Sequence, residues 1–177
     1  LAISEARFKG EAIDIIAGDY DLINQLDISS FPVKWEPSQE SLTISSAKEK
    51  NTENVHSDRI NNVLTVGKVV SGEPDLVFNH SGFKVSGSLK TSYVEHAYIE
   101  PEAGSCWMDG DTLVIQACTQ APIMDRDDTA NILGLEKEKV RIIPATAGGG
   151  FGSKLDVSIQ PLLGLVTLKT NKPSRII

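Results

Sequence analysis

The chain has 177 residues, 40% of them hydrophobic and 23% charged, with a net charge of −7. That is enough apolar material for one domain or two small ones. The charge argues against a nucleic-acid partner and against docking on an anionic membrane surface, since both call for a basic face. Its two cysteines, Cys106 and Cys118, form no CxxC pair. A zinc or iron–sulfur site of ordinary spacing is excluded, and two buried thiols in a cytoplasmic protein are expected. No apolar run approaches the ~18 residues of a membrane span. Leu1 at the start and the apolar Arg175-Ile176-Ile177 at the end read as the edges of an excised piece.

In chain order, Ala12–Ala17 is β-branched and bounded by Gly18-Asp19, the signature of a strand. Asp19–Leu26 suits a short helix, and Phe31–Glu36 alternates apolar and polar residues like a strand that Pro37 ends. From Ser45 to about Asn62 the sequence turns polar, and an exposed linker holding the domain boundary is expected there. Strands are then expected over Val63–Val70, Phe83–Tyr93 and Thr112–Ala117. Asp125 is the expected N-cap of a helix that runs through Leu133 and is closed by Gly134. Val140–Pro144 reads as a strand, and Leu155–Leu168 as a helix despite Pro161. The class that follows is α+β with strands dominant. Trp35 and Trp107 read as core or domain-edge aromatics.

Three local features could carry chemistry. In Ala147-Gly148-Gly149-Gly150-Phe151-Gly152-Ser153-Lys154, four glycines fall within five positions. Such a backbone can lie flat against another molecule, and before a helix its N–H groups would face an anionic or oxo ligand. Neither phosphate motif fits. Ser153 separates Gly152 from Lys154, which breaks the GxxxxGK pattern, and it stands where a GxGxxG counted from Gly148 needs its last glycine. A tight or mobile turn is the plain alternative, although Phe151 then needs a surface to pack on. Gln120, just after a strand, can aim its amide into a cleft or merely be solvated. His96, flanked by Glu95 and Glu100, is read as a hydrogen-bonded structural histidine ahead of an acid/base or metal group.

Taken in order, Phe8–Ile13, Val33–Pro37, Tyr93–Glu102, Thr119-Gln120 and Ala147–Lys154 resemble the molybdopterin-binding large subunit of the xanthine dehydrogenase/aldehyde oxidase family. The resemblance implies a division into residues 1–50, the tail of an α/β-hammerhead domain, a linker over 51–62, and 63–177 as the first part of the molybdopterin-binding domain. It implies a molybdenum–molybdopterin cofactor, in its cytosine dinucleotide form, contacted by Gln120, Gly149, Gly150, Phe151 and Gly152. No residue of this chain would be a catalytic base or a direct metal ligand, since the family's base is a glutamate near its C-terminus. The implied reaction hydroxylates an aldehyde or N-heterocycle with oxygen from water, and electrons leave to iron–sulfur and FAD subunits or domains. Ser153 and Leu155 depart from the family pattern. Leu155 stands where purine-oxidising members carry a glutamate, so the resemblance does not specify xanthine. A nucleotide-binding module and a ligand-free structural piece are the competing readings.

Overall fold

The computed structural model describes residues 1–177. It separates into two compact units, Leu1–Lys90 and Thr91–Ile177.

The first unit contains short helices only: α1 (Tyr20–Asn24), α2 (Ile44–Ala47), α3 (Pro74–His80) and 3₁₀ turns at Ile28–Ser30 and Ile60–Asn62. α1 forms where expected because the Asp19 carboxylate caps it, accepting from the Asp21 N–H at 3.1 Å. A reciprocal Thr43/Ser46 capping box starts α2. The polar stretch from Ser45 to Asn62 is largely exposed and carries side-chain hydrogen bonds of its own. Asn62 donates to the carbonyls of Ala47 and Glu53, both at 3.2 Å, and accepts from Val55 N.

The strands expected over Ala12–Ala17, Phe31–Glu36, Val63–Val70 and Phe83–Tyr93 do not form. Alternation specifies a face to bury, but a strand also needs a hydrogen-bonded neighbour, and none runs beside these segments. Many of their apolar side chains stay exposed, Val66, Val69, Phe83 and Val85 among them, as does Trp35, while Ile13, Ile15 and Phe31 are half-buried. Helices therefore hold more of the chain than strands, the reverse of the expectation.

The second unit is a mixed α/β layer. β1 (Gly104–Asp109) and β2 (Thr112–Ala117) form an antiparallel hairpin, turned by Gly110 at φ +61°. β2 continues through α4 (Pro122–Leu133) and a 3₁₀ turn at Lys137–Lys139 to β3 (Val140–Pro144), parallel to β2. α5 (Gln160–Thr170) then leads to β4 (Ser174–Ile176), antiparallel to β1. The order across the sheet is β3-β2-β1-β4. The core gathers Cys106, Leu113, Ile115 and Ala117 from the sheet with Ile159 and Leu163 from the α5 side.

Two details of these helices differ from expectation. α4 starts at Pro122, with Ala121 as the capping position, because a proline at the first turn has the right φ and needs no acceptor for an N–H. Asp125 lies inside the first turn, buried, and its Oδ2 accepts from Gln160 Nε2 at 3.0 Å. Gly134 does close α4, in the left-handed conformation at φ +68°. α5 begins at Gln160 rather than Leu155, with Pro161 in its first turn.

Candidate functional site

β2 ends at Ala117, and the chain continues through buried Cys118 and Thr119 to exposed Gln120. The pairing of β2 with β3 extends one step further, through Ala145 N to Ala117 O at 2.9 Å. This brings the glycine run, which follows β3, beside Gln120. The Gln120 side-chain oxygen accepts the N–H groups of Gly152 (2.9 Å) and Lys154 (3.3 Å), and its own backbone N–H donates to Lys154 O at 3.0 Å. With the oxygen committed to two N–H donors, the amide NH₂ is left without a partner in the chain, a donor to spare.

The other end of the run is tied to the segment that precedes β1. The Glu100 carboxylate accepts Gly148 N–H at 2.7 Å. Between these anchors the loop turns tightly, with Ser153 N donating to Gly150 O at 2.9 Å. Gly149 and Gly152 take φ of +106° and +97°, and Phe151 takes +50°. A positive φ on an aromatic residue is uncommon and costs ~1–3 kcal/mol, which the flanking bonds must hold in place. Phe151 is 73% exposed, so no other part of the chain supplies the surface its ring calls for.

Gly150 is glycine for a steric reason. A Cβ there would lie 2.5 Å from the Gln120 side-chain oxygen. Loop and amide therefore touch only because that side chain is missing. The N–H groups of Gly149, Gly150 and Phe151 find no acceptor within the chain, and Gly150 is buried. Buried N–H groups are almost always paired, so the one at Gly150 fits an acceptor such as an oxo or phosphate-like oxygen, with half-buried Gly149 and exposed Phe151 beside it. The donors belong to the turn itself. α5 starts six residues beyond Lys154, so the loop does not stand at a helix N-terminus as the sequence suggested.

Beneath the loop lies a group that sequence reasoning passes over. Lys154 has only 1% of its side chain exposed. Its ammonium donates to Glu100 O (2.9 Å), Glu100 Oε2 (3.1 Å) and Cys118 Sγ (3.3 Å), and it lies 4.4 Å from the centre of the Tyr98 ring. The Cys118 thiol, the Gly148 N–H and the Lys154 ammonium together hold the Glu100 carboxyl down at about 2. Burial would lower the lysine, but hydrogen bonds from Lys154 to Glu100 and Cys118 outweigh it and its pKa rises. Burial, reinforced by the neighbouring Glu100, pushes the Cys118 thiol up, so it stays protonated. The one signal in the sequence is a lysine closing a glycine run, which on spacing alone speaks only to a phosphate motif that fails.

The structure thus gathers Gln120, Gly149, Gly150, Phe151 and Gly152 into one surface. Leu155, just beyond, is 43% exposed. His96 does not join them. It is exposed and makes no hydrogen bond, on a stretch where Ala97 takes φ +52°, so the structural role expected for it is absent. Glu100, on its face of the alternation, is turned to the loop together with Tyr98.

Comparison with known proteins identifies the family. Residues 55–177 match the family model for the molybdopterin cofactor-binding domain. The nicotinate dehydrogenase large molybdopterin subunit of Eubacterium barkeri is 33% identical over 178 residues, covering 100% of this chain and 41% of that protein. The xanthine dehydrogenase molybdenum-binding subunit of Escherichia coli O157:H7 is 25% identical over 170 residues, covering 96% of this chain and 22% of the relative. The chain thus spans about two fifths or less of the length of these relatives. Among solved structures, the aldehyde oxidoreductase of Desulfovibrio desulfuricans ATCC 27774 superposes with a TM-score of 0.71 at 25% identity, over 79% of this chain and 16% of that one. The chain belongs to the molybdopterin cofactor-binding domain family, as its resemblance to the xanthine dehydrogenase and aldehyde oxidase large subunits implied.

Proposed function

We propose that the Gly149–Gly152 loop and Gln120 hold the oxygen ligands of a molybdenum–molybdopterin cofactor, in its cytosine dinucleotide form. The carrying observation is the row of N–H groups at Gly149, Gly150 and Phe151 with no acceptor in the chain, beside an amide whose NH₂ is likewise without a partner. Donors of this kind stabilise negative charge on oxygen and do not ligate metal. When bound, the cofactor supplies two-electron oxidation of an activated C–H bond, with water as the source of oxygen. The chain's residues orient the group and exclude water from one side of it. Phe151, exposed and held in a strained conformation, offers a ring against which cofactor or substrate packs.

On this reading the chain is part of a molybdenum hydroxylase large subunit, with residues 1–50 the end of a hammerhead domain, 51–62 a linker and 63–177 the start of the cofactor domain. The relatives are named as nicotinate and xanthine dehydrogenase subunits, and the structural neighbour as an aldehyde oxidoreductase. The substrate class is accordingly an N-heterocycle or an aldehyde. Leu155 has no polar group with which to recognise a purine. Iron–sulfur and FAD subunits or domains are the electron-accepting partners, and the setting is cytoplasmic. No helix is long and apolar enough to cross a membrane.

The test is molybdenum and pterin content of the assembled enzyme, wild type against Gln120→Leu, followed by turnover of aldehydes and N-heterocycles with an artificial electron acceptor. Loss of an outer-shell hydrogen bond lowers metal retention ~10- to 100-fold in comparable sites. A wild-type enzyme free of molybdenum and pterin refutes the proposal, as does a Gln120→Leu enzyme that loads like wild type.

A further inference from the structure

We infer that Lys154 and Glu100 are positioning residues that lock the glycine loop into its donor-presenting shape before any ligand arrives. The inference rests on the cofactor reading above and adds to it a part of the site that touches no ligand.

Lys154 is the residue at which the loop's attachments meet. Its backbone N–H and C=O are both bonded to Gln120, three residues past the end of β2. Its ammonium reaches back to residue 100, bonding both the carbonyl and the carboxylate. The same carboxylate oxygen, Glu100 Oε2, takes Gly148 N–H at the loop's other end. One buried cation therefore joins the two ends of the glycine run through a shared carboxylate, and Cys118 Sγ takes the remaining N–H. An ammonium has three N–H donors, and here three acceptors meet it.

The glycines make this lock necessary. A run with four glycines in five positions has the largest conformational entropy to lose on ordering, and its donors converge only in one conformation. The loop's positive φ values at Gly149, Phe151 and Gly152 lie between the two anchored ends. Tyr98 closes the underside, with its Cβ 3.1 Å from where a Gly149 side chain would begin and its ring facing the Lys154 ammonium. Ligand affinity then gains from ordering already present in the protein.

The experiment compares wild type, Lys154→Met and Glu100→Gln in the assembled enzyme. Amide hydrogen exchange is followed over 148–154, β1, β2 and α4, and molybdenum retention after prolonged dialysis is measured alongside. The expected result is at least a tenfold faster exchange in the 148–154 segment, with exchange in β1, β2 and α4 unchanged and molybdenum lost about tenfold faster. Glu100→Gln keeps the side chain's shape and shows the same pattern more weakly, so it serves if Lys154→Met does not fold. Unaltered loop exchange in both variants overturns the inference. So does faster exchange spread evenly over the sheet and α4, which makes Lys154 an ordinary residue of the fold. A wild-type enzyme without molybdenum defeats the cofactor reading instead, and the exchange pattern still decides whether the lock exists.

Discussion

Gly150→Ala isolates the contact between loop and amide, because Gly150 does not take a positive φ and an alanine there meets a steric obstacle alone. The added Cβ lies 2.5 Å from the Gln120 oxygen and 2.9 Å from its carboxamide carbon, inside the 3.0 Å that such contacts essentially never cross. The oxygen must retreat by at least about 0.5 Å, or the loop must do so. The oxygen cannot move without disturbing its bonds from Gly152 N (2.9 Å) and Lys154 N (3.3 Å), and the longer one is lost first. A lost hydrogen bond costs about 1 kcal/mol net, and forcing a group into a packed site costs about 1–3 kcal/mol. At 1.4 kcal/mol per factor of ten, a total of about 2–4 kcal/mol weakens cofactor binding roughly 25- to 700-fold. Molybdenum per polypeptide in the purified assembled enzyme reads this directly, with thermal unfolding run in parallel. Gly152→Ala is the companion variant. Its Cβ meets nothing within 4 Å, so any loss there reports the strain of φ +97° rather than a clash. A Gly150→Ala enzyme that keeps its molybdenum and its melting temperature refutes the contact as a determinant of the site.

Two further outcomes follow from the core and from the ionised pair. Leu113→Ala removes a side chain that is 1% exposed from the middle of the core cluster, and a loss of about 2–5 kcal/mol is expected in denaturant titration of the enzyme; a change below about 1 kcal/mol contradicts the core assignment. The Glu100 carboxyl is depressed to about 2, so its contribution to loop order is fully present above the ordinary glutamate value of about 4.3 and disappears as pH falls toward 2. Hydrogen exchange of residues 148–154, corrected for intrinsic rate, accelerates through that window in wild type and is flat in Glu100→Gln; a matching acid limb in the variant assigns the effect to another group.

What the sequence could and could not say divides along the distance over which each feature is decided. Thr112–Ala117 and Val140–Pro144 are legible because β-branched runs coincide with segments that have neighbours on the sheet, and Gly134 is legible because a helix end poses a local backbone problem. β1 carries no such signal. Gly104-Ser105-Cys106-Trp107-Met108-Asp109 neither alternates nor is β-branched, and it is a strand because β2 and β4 flank it. The strand patterns in residues 1–90 fail for the opposite reason, since alternation names a face without naming a neighbour. The same division runs through the site. The glycine run and Gln120 are conspicuous because composition and position alone expose them. The Glu100–Lys154 pair is separated by 54 residues, and in one dimension each member looks like an ordinary solvated charge. Only the fold puts the lysine under the loop. The part of the site proposed to meet a ligand was therefore legible, whereas the buried pair beneath it was not, because its two ends lie far apart and sequence shows them one at a time.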